Sequence, residues 1–332
     1  MSNELLVKDL GEHGLLERLQ GFCPLDVVGD DGAILAIALN KSIVVTTDVL
    51  VDGVHFSDRT TTPFDVGWRA VAANLSDLAA MGAKPLGITV GLSLPGRQKV
   101  AWVEEVYRGM NDCLQAYQTH LVGGDICRST VASLAITALG EVLPQRAICR
   151  HYARLGDAIV VTGLHGLSRG GLELLLDPNK GSTLTKEERD RLLEAHQRPK
   201  PRLDVLPYLE DIAGETQIAG MDSSDGLADA VRQICQRSGV GATIDLSQVG
   251  VFSGLVKLVG ELTARSWVLH GGEDFELVLC LPESKAIALL AKLDCSAAII
   301  GKITADRKIM AVDSRNPMVE QDLTKRSGFR HF

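Results

Sequence analysis

Residues 64–81, FDVGWRAVAANLSDLAAM, decide the fold class. Phe64, Trp68, Val71, Leu75 and Leu78 recur at three- and four-residue intervals, the spacing of one stripe on an α-helix. The flanking segments 42–48 (SIVVTTD) and 86–94 (LGITVGLSL) instead read as strands. Further on, 100–117 reads as a second helix, with stripe Val103, Tyr107, Met110 and Leu114, and strands follow at 120–122 and 131–142. Helix and strand patterns that alternate in this way predict an α/β protein with mixed sheets.

The alternation resumes beyond a polar, Pro-containing stretch at 143–154, which we take as the boundary between domains 1–148 and 149–332. Strands are expected at 157–162, 217–221, 241–246, 275–281 and 297–301, and helices at 167–176 and 227–237. Residues 177–185 read as a polar loop. Thr185 and Glu188 have the spacing of a capping box for the next helix, which Pro199 and Pro201 end.

A chain of 332 residues, 45% apolar, can bury two ordinary cores without staples. Its net charge of −8 excludes a nucleic-acid backbone as the main partner, because phosphate-backbone binding wants a basic face. It does not exclude small anions bound through a cation. The seven cysteines are odd in number and contain no C-x-x-C pair, which points to reduced thiols rather than a disulfide or zinc scaffold. The acidic, mixed start MSNELLVKDLGEHG is unlike a secretory signal, and no apolar run reaches membrane-spanning length. A cytoplasmic protein with no membrane partner is expected.

The chemistry concentrates on aspartates beside Gly, Ser or Thr at the ends of apolar segments. They are Asp30 and Asp31 in GDDG, Asp48 in TTD, Asp77 in NLSD, Asp125 in GGD, and Asp222 with Asp225 in DSSDG. Any one of them suits a helix cap or turn. Together with their hydroxyl neighbours they form the oxygen-rich set that hard cations such as Mg²⁺ require, and such cations bridge nucleotide phosphates. Asp77 lies opposite the apolar stripe of its helix, among Ala70, Ala73 and Ala80 rather than on a Lys/Glu face. The 221–226 stretch joins a strand to a helix, whose start would aim free N–H groups at an anion. In 270–275 (HGGEDF), two glycines precede two acids and would permit positive φ or close ligand approach.

Other signals lead nowhere. No P-loop motif occurs, and 180–183 (KGST) has the wrong order. Residues 166–170 (GLSRG) match a nucleophile elbow around Ser168, but no histidine stands in the strand-end loop expected of a triad base. The eight histidines are dispersed.

Taken in order, these motifs resemble the thiamine-monophosphate kinase family, within the aminoimidazole ribonucleotide synthetase-like superfamily. The carrying stretches are 10–16 (LGEHGLL), 29–33 (GDDGA), 46–56 (TTDVLVDGVHF), 74–85 (NLSDLAAMGAKP), 123–125, 156–163 (GDAIVVTG), 221–227, 270–277 and 328–332 (GFRHF). The resemblance implies a two-domain fold whose N-terminal sheet forms a barrel across a homodimer. It also implies direct transfer of the γ-phosphate of ATP to thiamine monophosphate, assisted by several Mg²⁺ ions and by K⁺. Metal-ligand positions fall on Asp30, Thr46, Thr47, Asp48, Asp77, Asp125, Asp222 and Asp225. ATP-contacting positions fall on Tyr107, Gly124, Asp125, Arg150 and Ser224, and substrate-facing ones on His55, Glu273 and Phe329. The chain departs from the family pattern in having GDDGAI for a GDDAA-type run, His270 for a Ser before GGED, and Phe329 for a larger or hydroxylated aromatic. No catalytic side chain is nominated, because a phosphate-monoester acceptor is already ionised near neutral pH. The competing readings are a superfamily enzyme with a different small acceptor, a Ser168 hydrolase, and a nucleotide sensor without turnover.

Overall fold

The computed structural model describes residues 5–24, 27, 32–316 and 318–325. The chain separates into two compact units: residues 1–78 with 84–142, and residues 79–83 with 143–332.

The first unit runs α1 (Val7–Gln20), β1 (Ser42–Val51), α2 (Pro63–Ala80), β2 (Lys84–Leu94), α3 (Val100–Ala116), β3 (Leu121–Arg128) and β4 (Ser133–Val142). Its sheet has the order β1-β4-β2-β3, antiparallel except for the β2/β3 pair that α3 connects. The expected α3 stripe is the buried face, with Val103, Tyr107, Met110 and Leu114 all inside. Helix α2 departs from a one-sided stripe: Asn74 and Ser76 are as buried as Leu75 and Leu78. It can be enclosed this way because it crosses α3 backbone to backbone. A Cβ on Gly67 would lie 1.9 Å from Val106 O, and one on Gly109 would lie 1.8 Å from Phe64 O.

Two expected boundaries move. The strand expected to stop at Val122 continues to Arg128, so the GGD aspartate lies within β3 rather than after it. Pairing with β2 carries the strand through a register shift at Ile88/Thr89, and Gly124 has no Cβ to strike Val90 O, 2.4 Å away. Likewise β1 continues past Asp48 to Val51.

The second unit runs β5 (Ala158–Val161), α4 (Leu167–Leu176), α5 (Lys186–Gln197), α6 (Leu206–Ala213), β6 (Ala219–Asp222), α7 (Leu227–Ser238), β7 (Gly241–Asp245), α8 (Ser253–Val259), α9 (Glu261–His270), β8 (Leu277–Leu281), α10 (Glu283–Leu290), β9 (Ala298–Thr304), β10 (Ile309–Val312) and β11 (Glu320–Asp322). Its seven strands are ordered β11-β10-β7-β9-β5-β8-β6, and only β7/β10 is parallel. Successive residues of β5 and β8 face opposite apolar clusters. Ile159, Val161, Val278 and Cys280 enter one, and Ala158, Val160, Leu277, Leu279 and Leu281 enter the other. Burial on both faces explains why these strands read as continuous apolar runs rather than alternating ones. The Thr185–Glu188 capping box forms as expected. The stretch expected as a polar loop at 177–185 contains a 3₁₀ turn over Pro178–Thr183.

Candidate active site

In the first unit, strand alternation turns Thr46 and Asp48 of β1 to the same side as α2. The Thr46 hydroxyl donates to Asp77 Oδ2. Asn74, fully buried one turn before Asp77, accepts from Asp48 N at 3.1 Å and donates to Ala70 O at 2.9 Å. Asn74 thus splints the edge strand to the helix and sets the spacing of the two carboxyl groups. Burial, and then the Asp77 charge, pushes the Asp48 carboxyl up to about 6. Thr47 faces the other way, with its hydroxyl 2.9 Å from that of Thr137, so its side chain does not join the pair.

Asp125 stands apart from Asp48 and Asp77, because β3 and β1 are opposite edges of the sheet. It lines a cavity of about 450 Å³ with Gly124, Tyr107, Thr89 and residues of α1. Three of the expected nucleotide positions therefore share one cavity. Tyr107 is buried and tilts against Phe22 at 5.7 Å, and burial raises its phenol well above the ordinary value.

His55 sits in the turn after β1. Its backbone N–H donates to Val51 O at 2.9 Å, while its ring Nδ1 accepts from Val51 N at 3.0 Å. A neutral ring held this way carries its proton on Nε2. Buried Arg69 reaches the His55 carbonyl at 3.4 Å, and Phe56 stacks on Trp102.

In the second unit, 222–226 and 271–276 are zipped together. Ser223 N donates to Glu276 O at 2.9 Å and Glu273 N to Ser224 O at 2.7 Å. The Ser224 hydroxyl donates to buried Asp222 at 3.1 Å. The glycines here serve close approach: a Cβ on Gly272 would meet Ser224 O at 2.6 Å, and one on Gly226 would meet Gly271 O at 2.9 Å. Positive φ, one of the two roles open to Gly271 and Gly272, falls instead on Glu273 (66°) and Phe275 (53°). Arg150 is exposed and tied to α7 through Gln233 at 2.7 Å.

The three acids of the GGEDFE run have different surroundings. Glu273 is half-exposed. Asp274 accepts from Gly166 N at 2.6 Å and Ser168 N at 2.9 Å, capping α4, and desolvation raises it to about 7. Glu276 pairs with Arg202 and accepts from the Thr162 hydroxyl at 2.6 Å. Sequence reasoning missed Asn74, Asp274 and the Arg202–Glu276 pair. Asn74 carried the one available signal, an amide one turn before Asp77 where an exposed residue was expected.

The structure does bring a histidine to Ser168: His196 Nδ1 lies 3.1 Å from its hydroxyl. The pair is not a hydrolytic centre, because Ser168 and His196 are 1% and 3% exposed. Moreover, Glu273 approaches the same Nδ1, whereas a triad holds its third group on the opposite ring nitrogen.

Asp30 and Phe329 lie outside the described residues. Among the described residues no three His, Cys, Asp or Glu side chains come together as a metal cluster. Within the first unit the expected ligand positions form an Asp48–Asp77 pair with Thr46 and, at the other sheet edge, Asp125; within the second they lie in the 222–225 turn.

Comparison with known proteins finds the family of AIR synthase related proteins. Its N-terminal domain matches residues 29–142 and its C-terminal domain residues 154–313. A thiamine-monophosphate kinase from Synechococcus elongatus is 48% identical over 330 residues, 98% of each chain. The crystal structure of thiamine-monophosphate kinase from Stenotrophomonas maltophilia is similar with a TM-score of 0.78 at 34% identity, covering 90% of this chain and 95% of that one. AaThiL complexed with AMPPCP and TMP is similar with a TM-score of 0.74 at 32% identity, covering 93% and 96%.

Proposed function

The chain belongs to the AIR synthase related family and, within it, to the thiamine-monophosphate kinases; from that membership we infer that it transfers the γ-phosphate of ATP to thiamine monophosphate, releasing thiamine diphosphate and ADP. The full-length match to the Synechococcus enzyme carries this conclusion. It is a phosphotransferase, and no side chain need act as base, since the acceptor phosphate is already ionised.

The oxygen donors suit Mg²⁺. Asp48 and Asp77 face each other with the Thr46 hydroxyl between strand and helix, an all-oxygen set in which burial first, and then the Asp77 charge, makes the Asp48 carboxyl resist ionisation. We assign Mg²⁺ there, with Asp30, Asp125, Asp222 and Asp225 as further ligand positions and K⁺ as an auxiliary cation; Thr47, whose hydroxyl turns to Thr137, is left out of the set. Bound Mg²⁺ would neutralise charge on the phosphate oxygens. Tyr107, Gly124, Asp125, Arg150 and Ser224 are assigned to ATP. His55, Glu273 and Phe329 are assigned to the acceptor, where His55 would offer its Nε2–H as a donor.

A cytoplasmic homodimer is part of this reading. Edge strand β1 exposes Ile43, Val45 and Val49 on one face, the kind of edge that another chain covers. Among the described residues no helix is long and apolar enough to cross a membrane.

The test is product analysis after mixing the protein with ATP, Mg²⁺ and thiamine monophosphate. Equal amounts of ADP and thiamine diphosphate are expected. ADP without thiamine diphosphate would reject the acceptor.

A further inference from the structure

Among the described residues assigned to the acceptor, Glu273 is held in an unusual backbone conformation, with φ at 66° and its N–H donating to Ser224 O. The next residue is pinned as well, since Asp274 accepts from the first N–H groups of α4. What remains to be set is the direction of the Glu273 carboxylate, which is 40% exposed. Its Oε2 lies 3.9 Å from Nδ1 of His196, a ring that is itself buried. His196 stands in the last turn of α5 and is brought there by helix packing. A Cβ on Gly171 of α4 would lie 2.1 Å from Leu192 O and 2.8 Å from His196 Cβ, so only a glycine lets α5 approach this closely. The Ser168 hydroxyl, 3.1 Å from the same Nδ1, holds the ring from the α4 side.

We propose that His196 is a positioning residue: backed by Ser168, its Nδ1 sets the direction of the Glu273 carboxylate and so the grip of the enzyme on thiamine monophosphate. Thiamine carries a positively charged thiazolium ring, and a carboxylate that a buried ring faces at 3.9 Å has fewer directions open to it and so presents its charge to such a cation at a smaller cost in side-chain freedom. The role rests on the assignment of Glu273 to the acceptor.

The test compares His196→Leu, His196→Asn, Glu273→Gln and the double variant His196→Leu/Glu273→Gln in the full chain, with steady-state kinetics in both substrates and a thermal melt. His196→Leu should raise KM for thiamine monophosphate about tenfold and leave KM for ATP within about twofold. His196→Asn, whose side-chain amide can stand where Nδ1 stands, should recover most of that loss. Added to Glu273→Gln, the Leu substitution should cost less than about twofold more. Should His196→Leu not fold, His196→Gln, which places its amide at the Nε2 position instead, serves as the variant that loses function. Equal effects of the His196 substitution with and without Glu273 would overturn the proposal, as would an unchanged KM for thiamine monophosphate. If Glu273→Gln alone leaves that KM unchanged, the assignment of Glu273 falls, and the proposal falls with it.

Discussion

In β1 the Asp48 carboxyl is raised from the ordinary 3.8 to about 6, first by burial and then by the Asp77 charge. The folded state therefore holds a proton between those values that the unfolded state has lost. This contribution to stability is fully present below about 4 and is lost as pH rises through about 6. Without divalent cation at pH 7, Asp48→Asn should melt higher than the parent by roughly 2 °C or more, with the difference vanishing near pH 4. The same substitution, or Asp77→Asn, should lower turnover on the order of 10²-fold. An Asp48→Asn variant that melts lower at pH 7, or one with normal turnover at low Mg²⁺, would remove the opposed-carboxylate argument. Ser168 stands at the other extreme. Its hydroxyl touches only a buried imidazole among its described partners, so Ser168→Ala should keep at least a tenth of the phosphotransfer activity, a barrier change below ~1.4 kcal/mol. Activated-ester hydrolysis by the parent that disappears with Ser168, alongside no phosphotransfer in either protein, would reject the kinase in favour of a hydrolase.

Helix α2 carries Asp77 at a fixed height above β1 because its N-terminal half is locked to α3, at Gly67 and against Gly109. Gly67→Ala would drive a methyl into Val106 O and force the two helices apart, at a cost of about 1–3 kcal/mol by the usual price of overpacking. Because the splint through Asn74 depends on that spacing, turnover should fall with stability. Thr185→Ala makes a contrasting control at the start of α5. It removes the hydroxyl that accepts Glu188 N at 3.2 Å and should cost about 1 kcal/mol without touching turnover per folded molecule. Urea denaturation combined with kinetics on both variants separates the two. Equal effects on kcat would mean that α2 spacing has no special bearing on the site.

At the scale of the whole molecule, Ile43, Val45 and Val49 lie on the exposed face of an edge strand, and Asp125 occupies the opposite sheet edge from Asp48. A second copy covering that face would explain the pattern. Light scattering should accordingly give twice the chain mass at micromolar concentration, and Val45→Lys should yield monomers with lowered activity. A fully active monomer would refute the pairing. The sequence by itself determined what depends on near neighbours: the mixed α/β class, the α3 stripe, the 167–176 helix, the Thr185–Glu188 box and the ordered motifs of the family. Those features arise from periodicity and capping within one or two turns, where spacing along the chain equals spacing in space. Only the tertiary structure decided that β3 runs on through Asp125, and that Asp274 is a cap while Glu273 is not. It also decided that Ser168 meets His196, 28 residues on, and Asp274, 106 residues on. Partners that distant are chosen by how helices and strands pack, and Gly67, Gly124 and Gly171 matter through the atom each would strike, which no local pattern records.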